Sequence, residues 1–199
     1  VGLIVPIGRY VIETACAQLA RWRHIDPTLS ININLAVQEV LQPDLPAFFS
    51  NVLRENALEP GDVTLEISEG SILHSKMYAS GVLARLRSIG FRLCIDDFGA
   101  GYSSLLYLQQ VPFDCLKIDK SFIDGLEGES LGAPIVRMMI ELGESYGISV
   151  IAEGVESEKQ ASALQELGCG RAQGNYLYSA RYADGAERLL AAQNEQSLV

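Results

Sequence analysis

Histidine is scarce in this chain: of 199 residues only His24 and His74 are histidines. Neither ends an apolar run, which argues against a zinc site built on imidazole. Cysteine is also sparse, with four residues (Cys16, Cys94, Cys115, Cys169) and no metal-finger spacing. Three of them lie in or beside apolar runs, so buried reduced thiols in a cytosolic protein are expected. Basic residues are outnumbered, 15 Lys and Arg against 25 Asp and Glu, for a formal net charge of −10. Without a basic stripe, no long nucleic acid is expected as a partner. A small phosphorylated ligand is compatible with this charge if acidic clusters hold divalent cations that invert it locally. No apolar stretch approaches the ~20 residues that span a bilayer. The opening V-G-L-I-V-P-I-G has no basic segment of the signal-peptide kind, so the domain is expected in the cytoplasm.

What the chain does have is 48% hydrophobic residues, enough for a substantial core in one domain over residues 1–199. Apolar positions at helical spacing predict helices over residues 6–23, 44–56, 77–89, 134–146, 158–167 and 184–192, with a shorter one after Ser103. Between them, short apolar runs predict strands over 30–35, 63–67, 91–96, 115–118 and 149–152, with a brief sixth near Ala172. The final Q-N-E-Q-S-L-V reads as frayed. Alternating strands and helices with near-continuous apolar strands imply parallel pairing and an α/β fold.

Polar and charged residues arrive where the apolar runs stop: Asn34, Glu66 and Glu69, Asp96 and Asp97, Lys117 with Asp119, Glu153 and Glu156, Gln173. Site residues at every strand end favour a closed (β/α)8 TIM-like barrel over an open sheet, because a barrel gathers all those ends at one mouth. Only about six strands of such a barrel are present, so about two are expected to be missing from the amino-terminal side. The open side is then expected to be buried by a second chain in a homodimer, by a swapped element or by upstream residues. Asn34, Glu66, Asp96 and Asp97 are hard oxygen donors, suited to Mg²⁺ or Mn²⁺. Adjacent carboxylates point to opposite sides of an ideal strand. A backbone turn at the strand end could aim Asp96 and Asp97 at one pocket, where a carboxylate can bridge two metals. The serines of Gly101-Tyr102-Ser103-Ser104 lack a histidine partner, which disfavours a Ser-His-acid hydrolase.

Read in order, I-N-L-A, L-E-I-S-E, I-D-D-F-G-A-G-Y-S-S-L, P-F-D-C-L-K-I-D-K-S-F-I, A-E-G-V-E and G-C-G-R-A-Q-G closely resemble the EAL domain family, bacterial phosphodiesterases that hydrolyse cyclic di-GMP. The resemblance implies a modified β/α barrel and a two-metal Mg²⁺ or Mn²⁺ site held by Asn34, Glu66, Asp96 and Asp97. Glu153 would add a ligand or act as general base, and Lys117 would orient the attacking water or screen phosphate charge. Glu69 would anchor the loop Gly99 to Ser104, Glu156 would position a loop, and Gln173 would bond near the ligand. The implied product is linear 5′-pGpG. An upstream sensor, GGDEF-type or membrane segment in the parent chain is a further implication.

This sequence also departs from the family pattern. The glutamate of the E-A-L motif belongs upstream of Gly2, Ala100 stands where threonine is usual, and N-Y-L-Y-S-A-R-Y follows Gln173 and Gly174 in place of S-R-P. The alternative function is therefore a catalytically inactive EAL domain that acts as a cyclic di-GMP receptor or interaction module. An unrelated divalent-metal barrel hydrolase fits the carboxylates but not the contiguous motifs.

Overall fold

Apolar residues at helical spacing bury one face of the first helix, α1 (Ile4–Trp22), through Ile12, Cys16 and Leu19. The computed structural model describes residues 2–74, 78–101, 111, 113–127 and 132–197. Burial pushes the Cys16 thiol up to about 11, which makes it an inert core group. The first strand, β1 (Ile31–Asn34), runs parallel to β2 (Val63–Ser68), with Ile31 opposite Val63 and Asn34 opposite Glu66. Their connection carries α2 (Val37–Val40), α3 (Leu45–Glu55) and a 3-10 turn at Pro60–Asp62. In α3 the buried residues Leu45, Phe49, Val52 and Leu53 repeat at helical spacing. The Phe49 ring lies 5.0 Å from that of Phe91, and Phe49→Ala, which removes this fully buried side chain, is expected to cost about 3–5 kcal/mol in a thermal melt.

The chain continues through α4 (Glu69–His74), α5 (Tyr78–Ile89), β3 (Arg92–Phe98), β4 (Cys115–Ile118), α6 (Lys120–Asp124), α7 (Gly132–Tyr146), β5 (Ser149–Ala152), α8 (Glu158–Glu166) and α9 (Ala183–Ser197). The five strands form one sheet in sequence order, and β3 with β4 and β4 with β5 are parallel. This is the α/β arrangement that the alternation of apolar runs implies. Two compact units divide the residues: 1–66, 77–92 and 181–199 make one, and 67–76 and 93–180 the other. Among the described residues, no helix is long and apolar enough to cross a membrane.

Several sequence expectations need correction. The sixth strand near Ala172 is a single bridge to Ala152, flanked by Gly170 and Gly174, which favour turning over an extended run. The tail expected to fray is helical to Ser197, since Ala, Gln and Glu are good helix formers. Strand β3 runs two residues past Asp96, to Phe98. Cys94 and Cys115 are not free thiols: they face each other across β3 and β4, with Cα atoms 4.6 Å apart, and form a disulfide. The helix after Ser103 falls outside the described residues. Helices α2, α4 and α6 are too short to leave a periodic signal.

Gly8 of α1 lets α2 approach closely, because a β-carbon there would overlap the Glu39 carboxylate. Glu39 is 4% exposed; its Oε2 accepts the Ala36 N–H at 2.9 Å, while Oε1 has no hydrogen-bond partner among the described residues. Burial raises the Glu39 pKa above the ordinary 4.5, opposed by the Ala36 bond. A raised folded-state pKa means stability that is full at low pH and lost as pH rises through that value. Glu39→Gln is therefore expected to raise the melting temperature more at about pH 8 than at about pH 4. Gly8→Ala is expected to cost about 1–3 kcal/mol, and much less in a Glu39→Ala background. Thermal melts of the single and double variants at the two pH values check both statements.

Candidate active site

The end of β3 carries one residue more than its partner. Ile95 to Phe98 takes three steps on β3, whereas the paired Leu116 to Ile118 takes two on β4. The extra residue is accommodated as a bulge, with Asp97 in the left-handed region at φ +55°. Aspartate enters that region more readily than most residues. On a flat strand Asp96 and Asp97 would point apart. Here one carboxylate oxygen from each of Asp96, Asp97 and Glu153 lies within 4.8 Å of the other two.

Lys117, on β4, stands among these acids with its side chain 5% exposed. It donates to Asp96 Oδ1 at 3.2 Å and ion-pairs with Glu153 Oε1. Glu153 follows β5, its backbone N–H bonded to the Ile118 carbonyl at 3.2 Å. Gln173 Nε2 donates to the same Glu153 Oε1 at 2.5 Å, so one carboxylate oxygen serves two donors. Asp96 and Glu153, whose side chains are only 16% and 14% exposed, share the Lys117 ammonium, and Asp97 brings a third carboxylate beside them. Such a cluster calls for cations. Its donors are all oxygens, which fits Mg²⁺ or Mn²⁺.

Other candidate residues tie loops to this region. Glu69, at the head of α4, is 1% exposed, and its Oε2 accepts the Gly99 N–H at 3.0 Å. Of the loop that begins there, Gly99 to Gly101 are described and Tyr102 to Ser104 lie outside the described residues. Glu156 ion-pairs with Lys120, whose pKa is raised by that hydrogen bond. Both partners are well exposed, so the pair contributes little stability. The Lys120 stem crosses Gly154, where φ is +70° and a β-carbon would collide.

In the unit that contains β1, Asn34 is exposed and sits opposite Glu66, which is 3% exposed. Asn32 Nδ2 donates to Glu66 Oε1 at 2.7 Å. Sequence reasoning passed over Asn32, although the alternation I-N-I-N puts it on the same face as Asn34.

Residues 1–180 match the EAL domain family. The chain belongs to that family. It is 38% identical over 179 residues to the bifunctional diguanylate cyclase/cyclic di-GMP phosphodiesterase MucR of Pseudomonas aeruginosa, covering 88% of this chain and 26% of that protein. The solved PaMucR phosphodiesterase in its c-di-GMP complex is 36% identical, with a TM-score of 0.88 over 93% of this chain and 75% of that one. The EAL domain of Mycobacterium smegmatis DcpA is also 36% identical, with a TM-score of 0.87 over 93% of this chain and 84% of that one. The α/β fold, read from the sequence as a TIM-like barrel, is the fold of these EAL domains. The chain spans about a quarter of the length of MucR and of other curated relatives that it matches.

Proposed function

We propose that this domain hydrolyses cyclic di-GMP to linear 5′-pGpG in a reaction that requires Mg²⁺ or Mn²⁺. The observation that carries this reading is the convergence of Asp96, Asp97 and Glu153 around the buried Lys117 in an EAL-family chain. Asn34, Glu66, Asp96 and Asp97 would hold two cations, with Glu153 adding a ligand or taking a proton. Cations bound there would supply Lewis acidity to the phosphodiester and acidify the attacking water.

The remaining roles belong to side chains. Water adds to phosphorus, the bond from phosphorus to the 3′ oxygen breaks, and that oxygen leaves as a hydroxyl, so the product keeps a 5′ phosphate. Glu153, held by Lys117 and Gln173, would receive the proton that the water gives up. Lys117 contributes a compact positive charge that screens charge developing on the phosphate. Glu69 keeps the start of the Gly99 loop in place, and Glu156 does the same for the loop after Glu153. In the whole protein, the bifunctional nature of MucR supports a cyclase-type domain beside this one.

The test is direct incubation of the purified protein carrying this domain with cyclic di-GMP and Mn²⁺, the products separated by chromatography. Linear 5′-pGpG is expected with metal and none with chelator. Tight binding without turnover would replace the enzyme by a receptor module, and neither binding nor turnover would remove both readings.

A further inference from the structure

We propose that Asn32 is a positioning residue for Glu66, orienting that carboxylate for the divalent cation it would hold; the inference rests on the metal-dependent reading above. Strand β1 reads I-N-I-N, an unusual composition because asparagine is poorly suited to strands. The two-residue period puts Asn32 and Asn34 on one face. The parallel register sets Asn32 opposite Thr64 and Asn34 opposite Glu66, so both amides share a face with Glu66. Asn34 is already taken by the proposed donor set. Asn32 is not, yet its amide crosses diagonally to Glu66 Oε1 at 2.7 Å.

The chemistry of that contact is unambiguous about direction. A carboxylate only accepts, so the amide must present its NH₂ group to Glu66. A hydrogen bond to an ionised acceptor is about twice as strong as a neutral one. It acts here on an acid that is 3% exposed and therefore poorly solvated by water. Fixing one oxygen limits rotation of the whole carboxylate group. Contacts of this kind, one step behind a ligand, typically change metal affinity about 10–100-fold. Asn32 is itself exposed, so its replacement leaves the core unchanged.

The protein carrying this domain is to be melted across a Mn²⁺ titration as wild type, Asn32→Ala and Asn32→Gln, with turnover of cyclic di-GMP measured at saturating Mn²⁺. In Asn32→Ala the Mn²⁺ midpoint of the melting-temperature rise is expected about 10–100-fold higher. Turnover at saturating Mn²⁺ should stay within a few fold. Asn32→Gln, which keeps the amide donor, should recover most of the shift in midpoint. A structural role alone would lower the melting temperature equally with and without Mn²⁺ and leave the midpoint in place, and that result overturns the proposal. A wild-type midpoint in Asn32→Ala overturns it too, while the metal-dependent reading stands. If the wild-type protein shows no Mn²⁺ response, the metal-dependent reading falls and this inference falls with it.

Discussion

Asp96→Asn is expected to lower cyclic di-GMP turnover by on the order of 10³-fold or more, while leaving the metal-free fold intact. The asparagine side chain is nearly the same shape, and its carbonyl oxygen can still accept from Lys117, which now reaches Asp96 Oδ1 at 3.2 Å. What changes is charge. Asp96, Asp97 and Glu153 converge within 4.8 Å, so removing one negative charge relieves repulsion in the metal-free protein and weakens the hold on a cation. The metal-free melting temperature should therefore stay level or rise as activity is lost. A turnover assay with a melting curve on the same sample checks both halves. An Asp96→Asn protein that hydrolyses cyclic di-GMP like wild type would remove Asp96 from the proposed site.

Lys117→Met is expected to act in the opposite sense on stability. Its ammonium is the described positive charge between Asp96 and Glu153, with a side chain only 5% exposed. Breaking a buried pair by removing one partner typically costs about 3–5 kcal/mol, because the other charge is left without compensation. For a chain of this size that corresponds to a melting temperature lower by roughly 10 °C in chelator. Mn²⁺ should restore much of that loss, since a cation bound by the acids supplies the missing positive charge. Turnover should not recover, because the charge that Lys117 is proposed to place beside the phosphate is lost. Equal melting temperatures for Lys117→Met and wild type in chelator would show that the acids do not depend on Lys117.

The fold was largely legible because its signals are local. β4 and β5 appear over the same residues in the sequence reading and in the structure, since each is a short apolar run between turn residues. α3 and α7 differ from the reading by a residue or two at their ends, where periodic signals fade. The departures have physical causes. A single pair of backbone contacts at Ala172 does not make a strand, and the tail is helical to Ser197 because composition there favours helix over coil. Cys94 and Cys115, 21 residues apart, become partners only through register, which no spacing rule supplies.

By itself the sequence determined the parallel βα alternation, the family, and which strand ends carry acids and amides, because these depend on residue type and short-range period. Only the tertiary structure decided how those groups meet. The bulge that opposes Asp96 and Asp97 to Lys117, and the left-handed turn at Asp97, arise from a mismatch in step count between two strands. The sharing of Glu153 between Lys117 and Gln173 joins residues from β4, the β5 end and the segment after α8. The bond from Asn32 to Glu66 likewise depends on the parallel register of β1 with β2. Strand register is a long-range quantity set by the packing of whole elements, so it decides which side chains become neighbours after local periodicity has fixed which elements exist.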